Sequence, residues 1–252
     1  MVAPANPSEA ERSRAAQARR GLAYAALIVG AWAGLLGIGL FAIDLNLATL
    51  GPALVLALVQ CWLFVGLFIV AHDAMHGSLA PGYPTLNRRI GAGLLMLYAG
   101  FSWRELSQAH FDHHRHAGTA GDPDFAAAHP TDPVRWYLTF LQRYFGWRSL
   151  VFVIAVVWVL HLAFAVPMAN LALFYGAASI ASSVQLFYFG TYRPHTHVGE
   201  AFADDHNARS ERWGTLASLA SCYHFGYHLE HHRRPDVPWW ALPRARAEGA
   251  DQ

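Results

Sequence analysis

Three short runs of this sequence concentrate imidazole side chains at spacings that suit metal binding. The first is His72-Asp73-Ala74-Met75-His76, the second His110-Phe111-Asp112-His113-His114 with His116 beyond it, and the third His228-Leu229-Glu230-His231-His232. On a helix, positions i, i+3 and i+4 share one face, so each run offers two or three ring nitrogens to a common point. Eight such histidines exceed what one ion takes, since a catalytic zinc site typically uses three protein ligands and leaves a position open; two ions are the economical reading. Imidazole suits zinc, copper, iron and nickel alike, so ligand type does not name the metal. The His-Glu-x-x-His pattern of zinc proteases is not met, because Asp73 stands where the general-base glutamate belongs. A ninth ligand is expected at Pro194-His195-Thr196-His197, with His195 the first choice and His197 the second. Asp73, Asp112 and Glu230 are placed to accept the second imidazole N–H and so fix tautomers, and Asn207 to join through a water. His129, His161 and His206 stand alone and read as structural.

The elements that must hold these runs are apolar. Of 252 residues, 54% are hydrophobic and 14% charged, the composition of a membrane protein rather than a soluble domain. Leu22 to Phe41, Gly51 to Val70, Leu150 to Val166 and Leu171 to Phe189 carry no charged side chain, and each is close to the roughly 20 residues needed to cross a bilayer. Ile90 to Phe101 is apolar but too short to span and is expected as a re-entrant or interfacial helix. The chain has no lysine. Its arginines avoid the link around Asp44 and the turn at Pro167 to Asn170, so the positive-inside rule puts the N-terminal region, the Ala71 to Ser149 segment and the C-terminal region in the cytoplasm. The expected fold is all-α and integral to the membrane: four transmembrane helices in two hairpins, plus cytoplasmic helices carrying a histidine-rich di-metal site. Residues 1–20 are expected as a flexible cytoplasmic arm, 21–243 as one membrane domain and 244–252 as a tail. A net charge of +1 without a basic face excludes a nucleic-acid partner. Spans without paired ionisable residues argue against a transporter. Cys61 and Cys222 read as reduced packing residues.

The set His-x-x-x-His, His-x-x-His-His, His-x-x-His-His, interrupted by paired spans, resembles the membrane fatty-acid desaturase and hydroxylase superfamily. Within it, the segments HDAMHGS, SWRELSQAHFDHHRHAGTAGDPDF, FYFGTYRPHTH, DDHNARS and CYHFGYHLEHHRRPDVPWWALP are similar to the bacterial beta-carotene ketolases. The resemblance implies two iron ions bound by His72, His76, His110, His113, His114, His228, His231 and His232, with His195 carried as a solitary ligand after the last span. It also implies dioxygen as co-substrate, electrons from an external ferredoxin-type redox partner, and residence in the bacterial inner membrane. The implied reaction oxidises ring carbon 4 of beta-carotene to a ketone through two hydroxylations and loss of water, giving echinenone and canthaxanthin, or astaxanthin from hydroxylated carotenoids. A ring hydroxylase or fatty-acyl desaturase of the same superfamily is the alternative.

A carotenoid dissolved in the bilayer must enter from the membrane, so a site at the ends of the spans is expected. Abstraction of hydrogen from such a C–H bond requires a metal rather than side-chain acids and bases. Phe187, Tyr188, Phe189, Tyr192, Tyr223, Phe225 and Tyr227 are the expected lining of that channel, and Trp239 and Trp240 an interfacial belt.

Overall fold

In a computed structural model, which describes residues 8–198 and 201–250, the chain is helical; among the described residues the one β-type pairing is an isolated antiparallel bridge between Ser210 and Tyr227. Ser8 opens helix α1 (Glu9–Phe41) with a capping box, its hydroxyl accepting from the Glu11 N–H while the Glu11 carboxylate accepts from the Ser8 N–H. The expected flexible arm over residues 1–20 is therefore corrected from Glu9 onward, while residues 1–7 lie outside the described residues. The first turns of α1 are tied down: the Gln17 amide donates to the Ser78 carbonyl at 2.8 Å, and Gly21 lies so close to the next turn that a Cβ would stand 2.0 Å from the Leu79 carbonyl oxygen.

Helix α2 (Leu50–His76) is the axis of the molecule and packs against α1, against α3 (Pro84–Ala99) and against α7 (Met168–His195). Ahead of its histidines the helix is apolar and buried on nearly every side, with Phe64, Val65, Leu67, Ile69, Val70 and Ala71 all at 0% exposure. Gly77, in the left-handed conformation at φ 73°, ends it. The stretch expected as a short interfacial helix over residues 90–101 begins earlier, because Pro84 suits a helix start, and it stops at Gly100 (φ 67°). Next come α4 (Trp103–His116), capped by the Ser102 hydroxyl, and α5 (Pro133–Tyr144), whose first N–H groups are capped by the Asp132 carboxylate. Helix α6 (Trp147–Phe164) leaves Leu150, Val151, Val159 and Leu162 exposed, as a lipid-facing surface requires.

Helices α1, α2, α6 and α7 are long and apolar enough to cross a membrane. Asn170, expected in a turn, lies buried near the start of α7, where its amide donates to the carbonyls of Gly39 and Ile43 at the end of α1, both at 2.8 Å. Two stretches of α7, Leu171–Ala177 and Tyr188–Tyr192, are wound as π-helix. Beyond it lie α8 (Thr215–Cys222), α9 (His228–Arg233), a 3-10 turn Trp239–Ala241 and α10 (Leu242–Ala250), so the expected tail from 244 is helical as far as Ala250. Trp239, expected at the membrane interface, is 8% exposed, with its ring 5.6 Å from that of Tyr24 and 5.1 Å from that of Tyr223. Cys61 and Cys222 are buried and free.

Gly21→Ala should force α1 off the turn at Leu79 and cost about 1–3 kcal/mol, as overpacking does. A lower thermal midpoint in detergent would register this, and an unchanged one would mean that α1 does not dock there.

Candidate metal centre

Four segments converge at one end of α2 and α7. His72 and His76 occupy the last turns of α2, His110, His113 and His114 lie on α4, His195 is the last residue of α7, and His228, His231 and His232 lie on α9. Their ring nitrogens form two groups, each with its ligand atoms within 4.8 Å of one another: His72, His76, His110, His114 and His231 in one, His113, His195, His228 and His232 in the other. Helices α4 and α9 each serve both. On α4 the i, i+4 pair His110 and His114 belongs to the first group and His113 to the second; on α9 the pair His228 and His232 belongs to the second and His231 to the first. The His-x-x-His-His pattern therefore straddles two groups of histidines.

The contacts between rings have the dimensions of a coordination sphere. Nε2 atoms face each other at 2.7 Å for His76 and His110, 3.1 Å for His114 and His231, 3.0 Å for His195 and His228, and 3.1 Å for His228 and His232. An ion with bonds of about 2.1 Å holds neighbouring nitrogens roughly 3 Å apart. Hydrogen bonding among the rings cannot account for the arrangement, since both nitrogens of His72 and the Nδ1 atoms of His228 and His232 are buried without a partner. Burial, reinforced by the neighbouring imidazoles, pushes His110, His228, His231 and His232 well below the ordinary histidine range and His114 to about 2. The rings are thus neutral and present lone pairs. These donors fit transition-metal ions.

Two outer contacts fix tautomers. His195 Nδ1–H donates to the main-chain carbonyl of Asn207 at 2.7 Å, leaving Nε2 as the lone pair. His113 Nδ1–H donates to Asp122 at 2.9 Å and 3.0 Å from its two oxygens, and the same carboxylate accepts the N–H groups of Gly118 and Asp124. Burial alone would lower His113 and raise Asp122. The hydrogen bond between them, helped by the other donors to Asp122, overrides it and moves each the opposite way.

Asp122 was not singled out in the sequence, where the run Gly121-Asp122-Pro123-Asp124 just beyond the second cluster is the available signal. The acids chosen there behave differently. Asp112 pairs with Arg115 and Gln108, and Glu230 with Ser210 and Arg246, so neither serves a clustered histidine. Asp73 accepts the Trp239 N–H at 3.0 Å and approaches His72 Nδ1 only to 3.5 Å. Asn207 acts through its carbonyl, and its amide donates to the Ala117 carbonyl. His197 donates to the Gly118 carbonyl and His116 to that of Asp112, outside both groups, while His161 caps the end of α6 at the Val166 carbonyl.

A cavity of about 430 Å³ leads away from the centre. His72, His110, His113 and His228 form its inner end, and Tyr98, Phe101, Phe140 and Phe145 line its flanks. Of the seven aromatics expected to line the channel, Phe225 does so. Phe187 packs instead against Trp136, Tyr137 and Phe140. Tyr188 flanks the Arg193 guanidinium, the Tyr192 hydroxyl donates to the Thr131 carbonyl, and Tyr223 stacks on Trp62 at 4.2 Å. The face of α7 that lines the cavity carries the small residues Gly176, Ser179, Ser183, Gly190 and Thr191 beside Ile180 and Leu186.

The fatty acid desaturase family model matches residues 45–154 and 131–252, which contain all nine clustered histidines. The chain belongs to the fatty acid desaturase family. Among relatives in that family it is 48% identical over 227 residues to the beta-carotene ketolase of Paracoccus sp. (strain N81106 / MBIC 01143), covering 88% of this chain and 90% of that one. It is 50% identical over 191 residues to the beta-carotene ketolase of Paracoccus sp. (strain PC1), covering 75% and 76%. A zeaxanthin 4-ketolase of Chlamydomonas reinhardtii is 37% identical over 244 residues, covering 91% of this chain and 54% of that one.

Asp122→Ala removes the acceptor that orients His113 and should weaken metal retention by about 10–100-fold. Asp112→Asn should leave it unchanged. Competition with a chelator followed by metal analysis separates the two, and equal behaviour of the variants would remove Asp122 from the site.

Proposed function

We propose that this chain is a di-iron, dioxygen-dependent membrane oxygenase that converts the ring-carbon-4 methylene of beta-carotene to a ketone. The observation that carries the reading is an apolar cavity whose inner end is four of the clustered histidines, in a protein whose relatives include beta-carotene ketolases. In this reading one iron is held by His72, His76, His110, His114 and His231 and the other by His113, His195, His228 and His232, and when bound they supply dioxygen activation. Each hydroxylation consumes one dioxygen, two protons and two electrons from a ferredoxin-type donor and releases one water. Loss of water from the resulting geminal diol gives the ketone.

The protein supplies position and exclusion. Phe101, Phe140 and Phe145 grip a hydrocarbon ring and keep water out, while Asp122 and the Asn207 carbonyl keep His113 and His195 in the tautomer that points Nε2 inward. Ile180, which lines the cavity, is 64% exposed on the outside of a span, so the ring has a route from the bilayer. Arginines on the N-terminal region, the segment between α2 and α6 and the C-terminal region, and none in the two links between paired spans, support two hairpins with termini and metal centre on the cytoplasmic side of the inner membrane. The zeaxanthin 4-ketolase relative favours acceptance of hydroxylated rings as well, the route to astaxanthin.

Expression in a beta-carotene-accumulating bacterium tests this directly. Red-shifted products in which each oxidised ring has gained one oxygen and lost two hydrogens are expected. Unchanged carotene with well-expressed, iron-loaded protein would refute the substrate, and hydroxylated product alone would make the enzyme a ring hydroxylase.

A further inference from the structure

Among the described residues lining the cavity, Asp124 is the one carboxylic acid. Asp122 takes the His113 N–H, which leaves Asp124 to act on that histidine through its nearby charge alone. Yet Asp124 is held from three directions: its N–H donates to Asp122 at 2.7 Å, its carbonyl accepts the indole N–H of the fully buried Trp136 at 2.7 Å, and its carboxyl accepts the Tyr144 hydroxyl. One carboxyl oxygen lies 3.8 Å from His113 Nδ1, and the side chain keeps 16% exposure. Tyr144 lines the same cavity. A fixed carboxyl and phenol thus stand beside the inner end of an otherwise largely apolar chamber.

Burying such a pair carries a desolvation cost that an unsubstituted hydrocarbon ring cannot offset, because it offers no hydrogen bond. The ring after one oxidation does offer one. Its new hydroxyl enters a chamber whose lining includes both Asp124 and Tyr144. Resting on the ketolase reading above, we propose that Asp124 and Tyr144 form a hydroxyl-recognising subsite that receives the alcohol produced by the first oxidation and holds that carbon in place for the second. Release of the alcohol competes with its further oxidation, and the subsite shifts that competition toward the ketone. The two residues lie 20 positions apart, Asp124 on a turn and Tyr144 at the end of α5, with no periodicity to link them in the sequence.

The test is the ratio of ring alcohol to ketone formed in a beta-carotene-accumulating host by wild type and by Asp124→Leu, Asp124→Asn and Tyr144→Phe. Asp124→Leu should raise the ratio about tenfold, the worth of one buried hydrogen bond. Asp124→Asn, which keeps a carbonyl acceptor, should restore part of the wild-type ratio, and Tyr144→Phe, which frees the carboxyl from its anchor, should fall between. Iron content per chain is measured alongside. A wild-type ratio in Asp124→Leu and Tyr144→Phe, including a parallel loss of both oxidation steps, would overturn the subsite while leaving the ketolase reading intact. Absence of ketone from the wild type would overturn both. Because Tyr144→Phe leaves Asp124 in place, it keeps the proposal exposed even if Asp124→Leu fails to accumulate.

Discussion

Nine imidazoles brought nose to nose at the end of a membrane helix bundle are the constraint on which the rest of this fold depends. The facing nitrogens stand 2.7–3.1 Å apart, and several ring nitrogens are buried with no partner, an arrangement that costs free energy by itself and becomes favourable around cations. Such a centre forms only if the protein holds four separate segments rigidly. Helix α2 provides the fixed reference, buried on nearly every side ahead of its histidines and stopped by Gly77 just after His76. The other three segments are fastened to it or to each other: α4 by its Ser102 cap and the Asp122 turn, the end of α7 by the Asn207 carbonyl, and α9 by Ser210, whose hydroxyl binds the Glu230 carboxylate and accepts the Leu229 N–H.

This division of labour explains where polarity appears. The spans carry apolar side chains outward to lipid, and polar groups are kept for the centre's outer contacts and for joints such as Asn170 against the end of α1. Immediately before α9, Tyr223 and His224 adopt left-handed conformations at φ 49° and 66°, an unusual turn that swings the third histidine run back onto α4. The π-wound stretches of α7 contribute Gly176, Gly190 and Thr191 to the cavity, so the same helix serves as span, cavity wall and histidine carrier.

Much of this was legible in the sequence, because helical spacing is a strong signal when repeated. The four spans and the three histidine runs could be read from apolar length and from i, i+3, i+4 periodicity alone. The assignment of acids was not, and the reason is angular: Asp112 and Glu230 are two residues from His110 and His228, about 200° around the helix, and so face away from the centre. Asp122 lies in an irregular turn, where no periodicity reports direction. The channel aromatics Phe187, Tyr188 and Tyr192 were chosen by residue type alone, and in the π-wound end of α7 it is Gly190 and Thr191 that face the cavity. The arm at residues 9–20 looked irregular because its charge hid the Ser8 capping box.

The proposed chemistry stands on the histidines making two ion sites rather than one. Metal analysis of the chain purified in detergent from iron-supplied cells addresses it most directly. Two iron ions per chain are the predicted result; a single ion per chain at saturation would contradict the division of the nine histidines into two centres.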